Sequence, residues 1–314
     1  MDNRNTQART VNRYARQISL PEIGRQGQHR LMRACVLVAG AGGLGAVLLP
    51  LLAGAGTGQI RLYDPDVIEE SNLHRQTLFQ TKDIGRPKAV VAAQMLTRLN
   101  PDCQVLAQVD RLDPCTARKE VPAADIIIDA ADSFALSYSL SDRCQQEGKP
   151  LISASALERR GYVGGFCGGA PSLRALFPDL PGQLGNCNSR GVMGPVVAIL
   201  GALQAQMALS VLLGIDPSPL GQMFSLDLSS WHLSGFRFDE AAEPEVAGPE
   251  VISPSDIHSD DLVIDLRQMD VPPGRPDPSR RVVFVCTSGL RAWRAAKTLG
   301  ASGHDRIAII GDGQ

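Results

Sequence analysis

Residues 36–45 read VLVAGAGGLG, and the next apolar run, IRLYD, closes on Asp64. An apolar strand, a Gly40-x-Gly42-x-x-Gly45 turn, a helix length and a second strand ending in an acid have the spacing of a βαβ nucleotide-binding unit. Gly40 permits the tight turn, Gly42 and its neighbour Gly43 let backbone amides approach a phosphate, and Gly45 lets a helix pack close to the strand. The helix N-terminus then offers free N–H groups and partial positive charge to an anion. Asp64 lies about 20 residues beyond the glycines, where a carboxylate accepts hydrogen bonds from ribose hydroxyls. By itself this pattern indicates an adenine nucleotide, without separating NAD, FAD and ATP.

Further along stand the groups needed to handle a charged phosphate chain. Arg75 and Lys88 are the candidates to grip phosphate, the arginine bidentately and the lysine as a point charge. Lys88 follows Gly85-Arg86-Pro87 at an expected helix start, an unfavourable place for a cation unless an anion is near. Asn72 supplies a hydrogen bond to phosphate or metal-bound water. Asp132, beyond the apolar run ending at Asp129, offers oxygen ligands to Mg²⁺. Asp129 itself reads as a brace for the strand end.

RYARQ at 13–17, the glycine turn, DPDVIEESNLHRQ, GRPKA and DAADS occur in one order and spacing. Together they resemble the ThiF/MoeB/HesA family, which activates ubiquitin-like proteins and sulfur carriers. The resemblance runs from about Arg13 to Phe238. It implies ATP and Mg²⁺ as cofactors, with the four glycines, Asp64, Asn72, Arg75, Gln76 and Lys88 at the nucleotide and Asp132 at the metal. It also implies a homodimer in which Arg16 reaches the neighbour's γ-phosphate. The expected substrate is a small ubiquitin-like sulfur carrier ending in Gly-Gly, adenylated on its C-terminal carboxylate and then converted to a thiocarboxylate. Two departures stand out. Ser133 occupies the place of the family's usual Asn. No structural zinc is expected, because Ser172 and Ala175 stand where relatives carry one C-x-x-C pair and 239–248 lacks the other.

Two cysteines suggest sulfur chemistry. Cys187 lies in GNCNSRGVMGP, the family's flexible crossover, where Arg190 and a helix start would favour thiolate. Cys286-Thr-Ser-Gly-Leu-Arg291 resembles the active loop of rhodanese sulfurtransferases, whose N–H groups cradle a persulfide. The tail is shorter than a rhodanese domain usually is. A persulfide would be the sulfur donor.

These residues need a scaffold. Apolar runs alternating with helix-length segments predict an α/β fold with a Rossmann-like, mostly parallel sheet. Expected strands are 35–39, 60–64, 104–109, 125–129 and 151–155, with a helix over 88–99 and a disturbance at Pro50. YVGGFCGG and QMFSLDLSSWHLSGFRF predict an antiparallel extension. The domains read as 1–238 adenylating, 239–254 linker and 255–314 truncated rhodanese-like.

The chain has 314 residues, 44% of them hydrophobic, with net charge −2, so no nucleic-acid partner is expected. Seven scattered cysteines and no visible signal peptide predict reduced thiols and a cytoplasmic protein. Uncharged runs at 34–60 and 191–215 are long enough for a bilayer, but the first holds the glycine turn and the second reads as a core helix. The rival readings are activation for thioester ligation, an NAD-dependent oxidoreductase on the same βαβ unit, and a non-catalytic nucleotide-binding scaffold.

Overall fold

The computed structural model describes residues 13–179, 191–245, 248–268 and 276–311. Eight strands form the larger sheet: β1 Cys35–Ala39, β2 Gln59–Tyr63, β3 Gln104–Gln108, β4 Ile126–Asp129, β5 Pro150–Leu157, β6 Arg160–Cys167, β7 Gln222–Asp227 and β8 His232–Arg237. Their order is β3-β2-β1-β4-β5-β6-β7-β8. Pairing is parallel from β3 through β5 and antiparallel from β5 to β8. The centre of the sheet explains the unbroken apolar runs. Val36, Leu37 and Val38 in β1 and Ile126 to Ile128 in β4 are all buried, because helices cover both faces.

Among the described residues, the helices longer than one turn are α1 Gly24–Leu31, α2 Gly45–Ala55, α3 Lys88–Leu99, α4 Pro114–Glu120, α5 Phe134–Glu147, α6 Gly194–Leu213 and α7 Leu290–Ala301. Helix α2 continues through Pro50 and stops at Gly56, which takes the left-handed conformation that caps helices. Helix α6 is long and apolar enough to cross a membrane by length and composition. Here it packs against α2, β5 and β6, and Val196, Val197 and Leu200 join the main core. Its buried Gln204 donates to the Asp129 carbonyl at 2.7 Å. An amide in an apolar helix needs such a partner.

A second sheet, all parallel, has the order β10-β11-β12-β9. Its strands are β9 Glu250–Val251, β10 Leu262–Asp265, β11 Val282–Cys286 and β12 Ile307–Gly311. Part of the expected 239–254 linker is therefore structured: β9 lies inside it, and Ile252 is buried. Nor does the tail stand apart. Phe284, Trp293 and Ile309 share one apolar cluster with Leu37, Tyr138 and Phe166 of the larger unit. Ser172 holds Glu243 through its amide at 2.7 Å and its hydroxyl at 2.5 Å.

Candidate nucleotide-binding and active site

The glycine turn leaves β1 and enters α2, and its geometry forbids side chains at two points. Gly40 has φ +102, and a Cβ there would lie 2.6 Å from the Ala130 carbonyl oxygen. A Cβ on Gly45 would meet the Gly40 carbonyl oxygen at 2.3 Å. A Cβ on Gly42 would meet nothing closer than Gln76 Nε2 at 3.8 Å, so a ligand has room to approach.

A cleft of about 510 Å³ opens above this turn. Gly40, Gly42, Gly43, Asp64, Asn72, Arg75, Gln76, Lys88 and Asp132 all line it, so residues spread over nearly a hundred positions converge. Topology does this: β1, β2 and β4 are parallel neighbours, and their C-terminal ends deliver Gly40, Asp64 and the 129–133 turn to one rim.

Asp64 is buried, and its carboxylate accepts from the Ala41 amide at 2.7 Å and the Asp66 amide at 2.9 Å. Burial raises its pKa, against the opposing pull of Lys88. The two amides leave further acceptor positions for a ribose. Lys88 begins α3, and its buried ammonium donates to Asp66 Oδ2 at 2.8 Å. Asp66 is largely exposed, so the pair leaves a sheltered cation at the cleft wall. Arg75 donates to the Ser71 carbonyl at 3.1 Å and engages no carboxylate among the described residues. Asn72 is buried and donates to the Ser71 hydroxyl at 3.1 Å. Gln76 is buried with its Oε1 unpartnered, an acceptor that a ligand donor could satisfy.

Asp132 is exposed on the rim, and Ser133 caps α5 by accepting from the Leu136 amide. Beneath them Asp129 is fully buried. Its carboxylate accepts from the Ser153 hydroxyl at 2.9 Å and from the Ala131 amide at 3.3 Å. Burial pushes its pKa to about 6, while the Ser137 and Ser153 hydroxyls pull the other way.

Other expected residues lie elsewhere. Arg16 is exposed on the helical turn Ala15–Ile18 and does not line this cleft. Cys187 and Arg190 fall outside the described residues. Cys286 is buried at the end of β11, in the second sheet. Burial pushes Cys103 up to about 11 and Cys167 to about 12, which leaves both as inert thiols. Sequence reasoning missed Asp66 as the partner of Lys88, although it stands within the DPD motif. It also missed Arg111, which lines this cleft and an adjoining crevice of about 330 Å³ against the second sheet. No motif marks that arginine.

Comparisons with known proteins agree with this arrangement. Residues 14–246 match the ThiF family. The chain is 40% identical to the sulfur carrier protein adenylyltransferase of Thermus thermophilus over 225 residues, covering 69% of this chain and 83% of that protein. It is 41% identical over 220 residues to the adenylyltransferase and sulfurtransferase MOCS3 of Bos taurus, covering 69% of this chain and 48% of that protein. A crystal structure of Escherichia coli MccB with ATP superposes with a TM-score of 0.61 at 26% identity, covering 74% of this chain and 73% of the other. A glycine turn at the rim of a parallel sheet, the polar side chains that line the cleft above it and this extent of similarity lead to one conclusion: the chain belongs to the ThiF family.

Proposed function

We propose that this protein adenylates the C-terminal glycine of a small ubiquitin-like sulfur carrier, using ATP. The observation that carries the reading is the convergence of Asn72, Arg75, Lys88 and Asp132 on the cleft above the glycine turn. Hydride transfer needs no such clamp, so the NAD reading loses ground. The incoming carboxylate and the phosphates are both anionic and repel. Arg75 and the sheltered Lys88 offset that repulsion, the glycine amides hold the phosphates, and Asp64 orients the ribose. The carboxylate oxygen then attacks the α-phosphorus, a new acyl–O–P bond forms, and pyrophosphate leaves. One carboxylate at the rim suits magnesium held mainly by substrate phosphates and water, and Asp132 would be its protein ligand. When bound, that ion neutralises phosphate charge and favours departure of pyrophosphate.

The partner enters as a globular body with an extended tail. The β7–β8 hairpin exposes Trp231 and Leu233 beyond the parallel half of the sheet, and apolar surface of this kind supports docking of such a body. Arg16, outside its own cleft, supports a homodimer in which it serves the neighbour's site. Localisation in the cytoplasm fits the reduced, scattered cysteines.

The second step is sulfur transfer. A persulfide on Cys286 would attack the acyl carbon and expel AMP. A second thiol would then split the acyl disulfide, releasing the thiocarboxylate and leaving a disulfide. The Cys286 loop at the N-terminus of α7 supports this role, as does the sulfurtransferase function in the name of the bovine relative. Adenylation for thioester ligation is the alternative fate. The deciding experiment is ATP–pyrophosphate exchange with a Gly-Gly-ending carrier, followed by mass spectrometry of the carrier after a persulfide source is added. Exchange that needs no carrier, or none with any carrier, rejects the proposal. Exchange without thiocarboxylate leaves adenylation and removes sulfur transfer.

A further inference from the structure

Cys286 ends β11, and its loop passes directly into α7. The thiol is 3% exposed, and its sulfur accepts a hydrogen bond from the Ala292 amide at 3.3 Å. An amide in the first turn of a helix, aimed at sulfur, suits a thiolate or persulfide. Burial does not suit it, because a sulfur that exchanges with a donor and an acyl group must be reached by both. Residues of the larger unit share the apolar cluster of Cys286 and close on its loop. Ala135, in the first turn of α5, closes on the cysteine loop so tightly that a Cβ at Gly289 would lie 3.0 Å from its methyl, and one at Gly311 2.7 Å.

The two units are fastened at a second place. The Arg174 guanidinium lies 5.0 Å from the Tyr138 ring centre and 5.3 Å from that of Trp293. It also donates to both oxygens of Asp142, at 2.6 and 2.7 Å. Arg174, Tyr138 and Asp142 belong to the larger unit, and Trp293 lies on α7. A buried, bidentate, stacked arginine holds strongly while intact and is costly to leave half-paired. Other polar ties include Arg118 to Asp256 and Lys297 to Asp179, which are solvent-accessible and cost little to break, and the buried Ser253 to Asp113. The small unit also has a cluster of its own, Ile252, Val283, Val285, Ala308 and Ile310, that includes nothing from the larger unit.

We propose that the docked tail is the closed state of a gated thiol. The cluster residues of the larger unit, with Ala135, are the cover and the Arg174–Trp293 stack is the latch. The tail must swing off α5 as a body before Cys286 exchanges sulfur. What the thiol then does rests on the sulfur-transfer reading above, but the gate does not.

The test uses full-length protein, a maleimide probe and peptide-resolved mass spectrometry, with buried Cys103 and Cys144 as internal references. In the unaltered protein Cys286 labels as slowly as those two. Arg174→Lys and Asp142→Asn each raise its labelling about tenfold, the response to a docking equilibrium shifted by ~1.4 kcal/mol. Hydrogen exchange of Val282–Cys286 stays protected in both variants. Fast labelling of the unaltered protein overturns the proposal, as does unchanged labelling in both variants. Labelling that rises only with lost protection of that strand also overturns it, because the tail then unfolds instead of opening. Faster labelling with protection kept, but no thiocarboxylate on the carrier, upholds the gate and rejects sulfur transfer.

Discussion

Asp129 shows how a residue away from the reacting atoms still shapes the site. Its carboxyl moves from the ordinary 3.8 to about 6 because burial disfavours its charge. Below pH 4 both folded and unfolded chains hold the proton. Between pH 4 and 6 the unfolded chain releases it first, so stability falls as pH rises, by about 3 kcal/mol in all at ~1.36 kcal/mol per unit. Asp129→Asn keeps an acceptor for Ser153 and cannot ionise. Its melting temperature should gain on the parent as pH rises from 4 to 7, and a constant difference across that range would refute the account. In the proposed mechanism the rim residues act on the reaction itself. Asp132→Ala and Arg75→Ala should each cut carrier-dependent pyrophosphate exchange by roughly 10²–10³, the scale of a lost preorganised contact. Near-parental rates in both would show the roles misassigned. At this scale much of the cleft was legible, because Asp64, Asn72, Arg75 and Lys88 sit in local motifs. The burial of Cys286 was not, since residues that share its apolar cluster, Tyr138 among them, lie about 150 positions earlier.

Elements were legible where periodicity and local stops agree. Strand 35–39 and helix 88–99 form at the expected bounds, 60–64 moves by one residue to 59–63, and 104–109 and 125–129 each lose one residue at an end. Strand 151–155 extends to Pro150–Leu157, because β6 pairs along all of it, a tertiary cause invisible in the run itself. The two-residue β9 is the extreme case. Glu, Pro and Gly around it read as a linker, and only pairing with β12 makes it a strand. The glycine turn carries the sharpest element-level prediction. Gly40→Ala places a methyl against the Ala130 carbonyl at positive φ, so it should lower stability by at least about 2 kcal/mol. Urea unfolding should show the midpoint fall with the slope unchanged. A midpoint equal to the parent's would mean that the turn relaxes freely.

At the scale of the whole molecule, the position of Arg16 makes assembly testable. Arg16→Ala and Asp132→Ala chains, each inactive alone, should recover part of the exchange activity when mixed, because one of two hybrid sites then keeps both residues. A strictly monomeric enzyme with full activity would end the homodimer proposal. The docked tail was the least legible feature at this scale. Composition marked a separate module, but shared burial of Trp293 with Tyr138 makes the two sheets one packed body. That union has a thermodynamic side. Arg111, Leu112, Ser133 and Leu136 form a party wall, facing the nucleotide cleft on one side and the crevice against the second sheet on the other. A ligand that prefers one position of that wall changes the undocking equilibrium by a coupling free energy, and tail position changes the ligand's affinity by the same factor. Any coupling between opening the tail and filling the cleft is thus reciprocal, and isotherms for ATP measured on latched and unlatched protein would read it as one number.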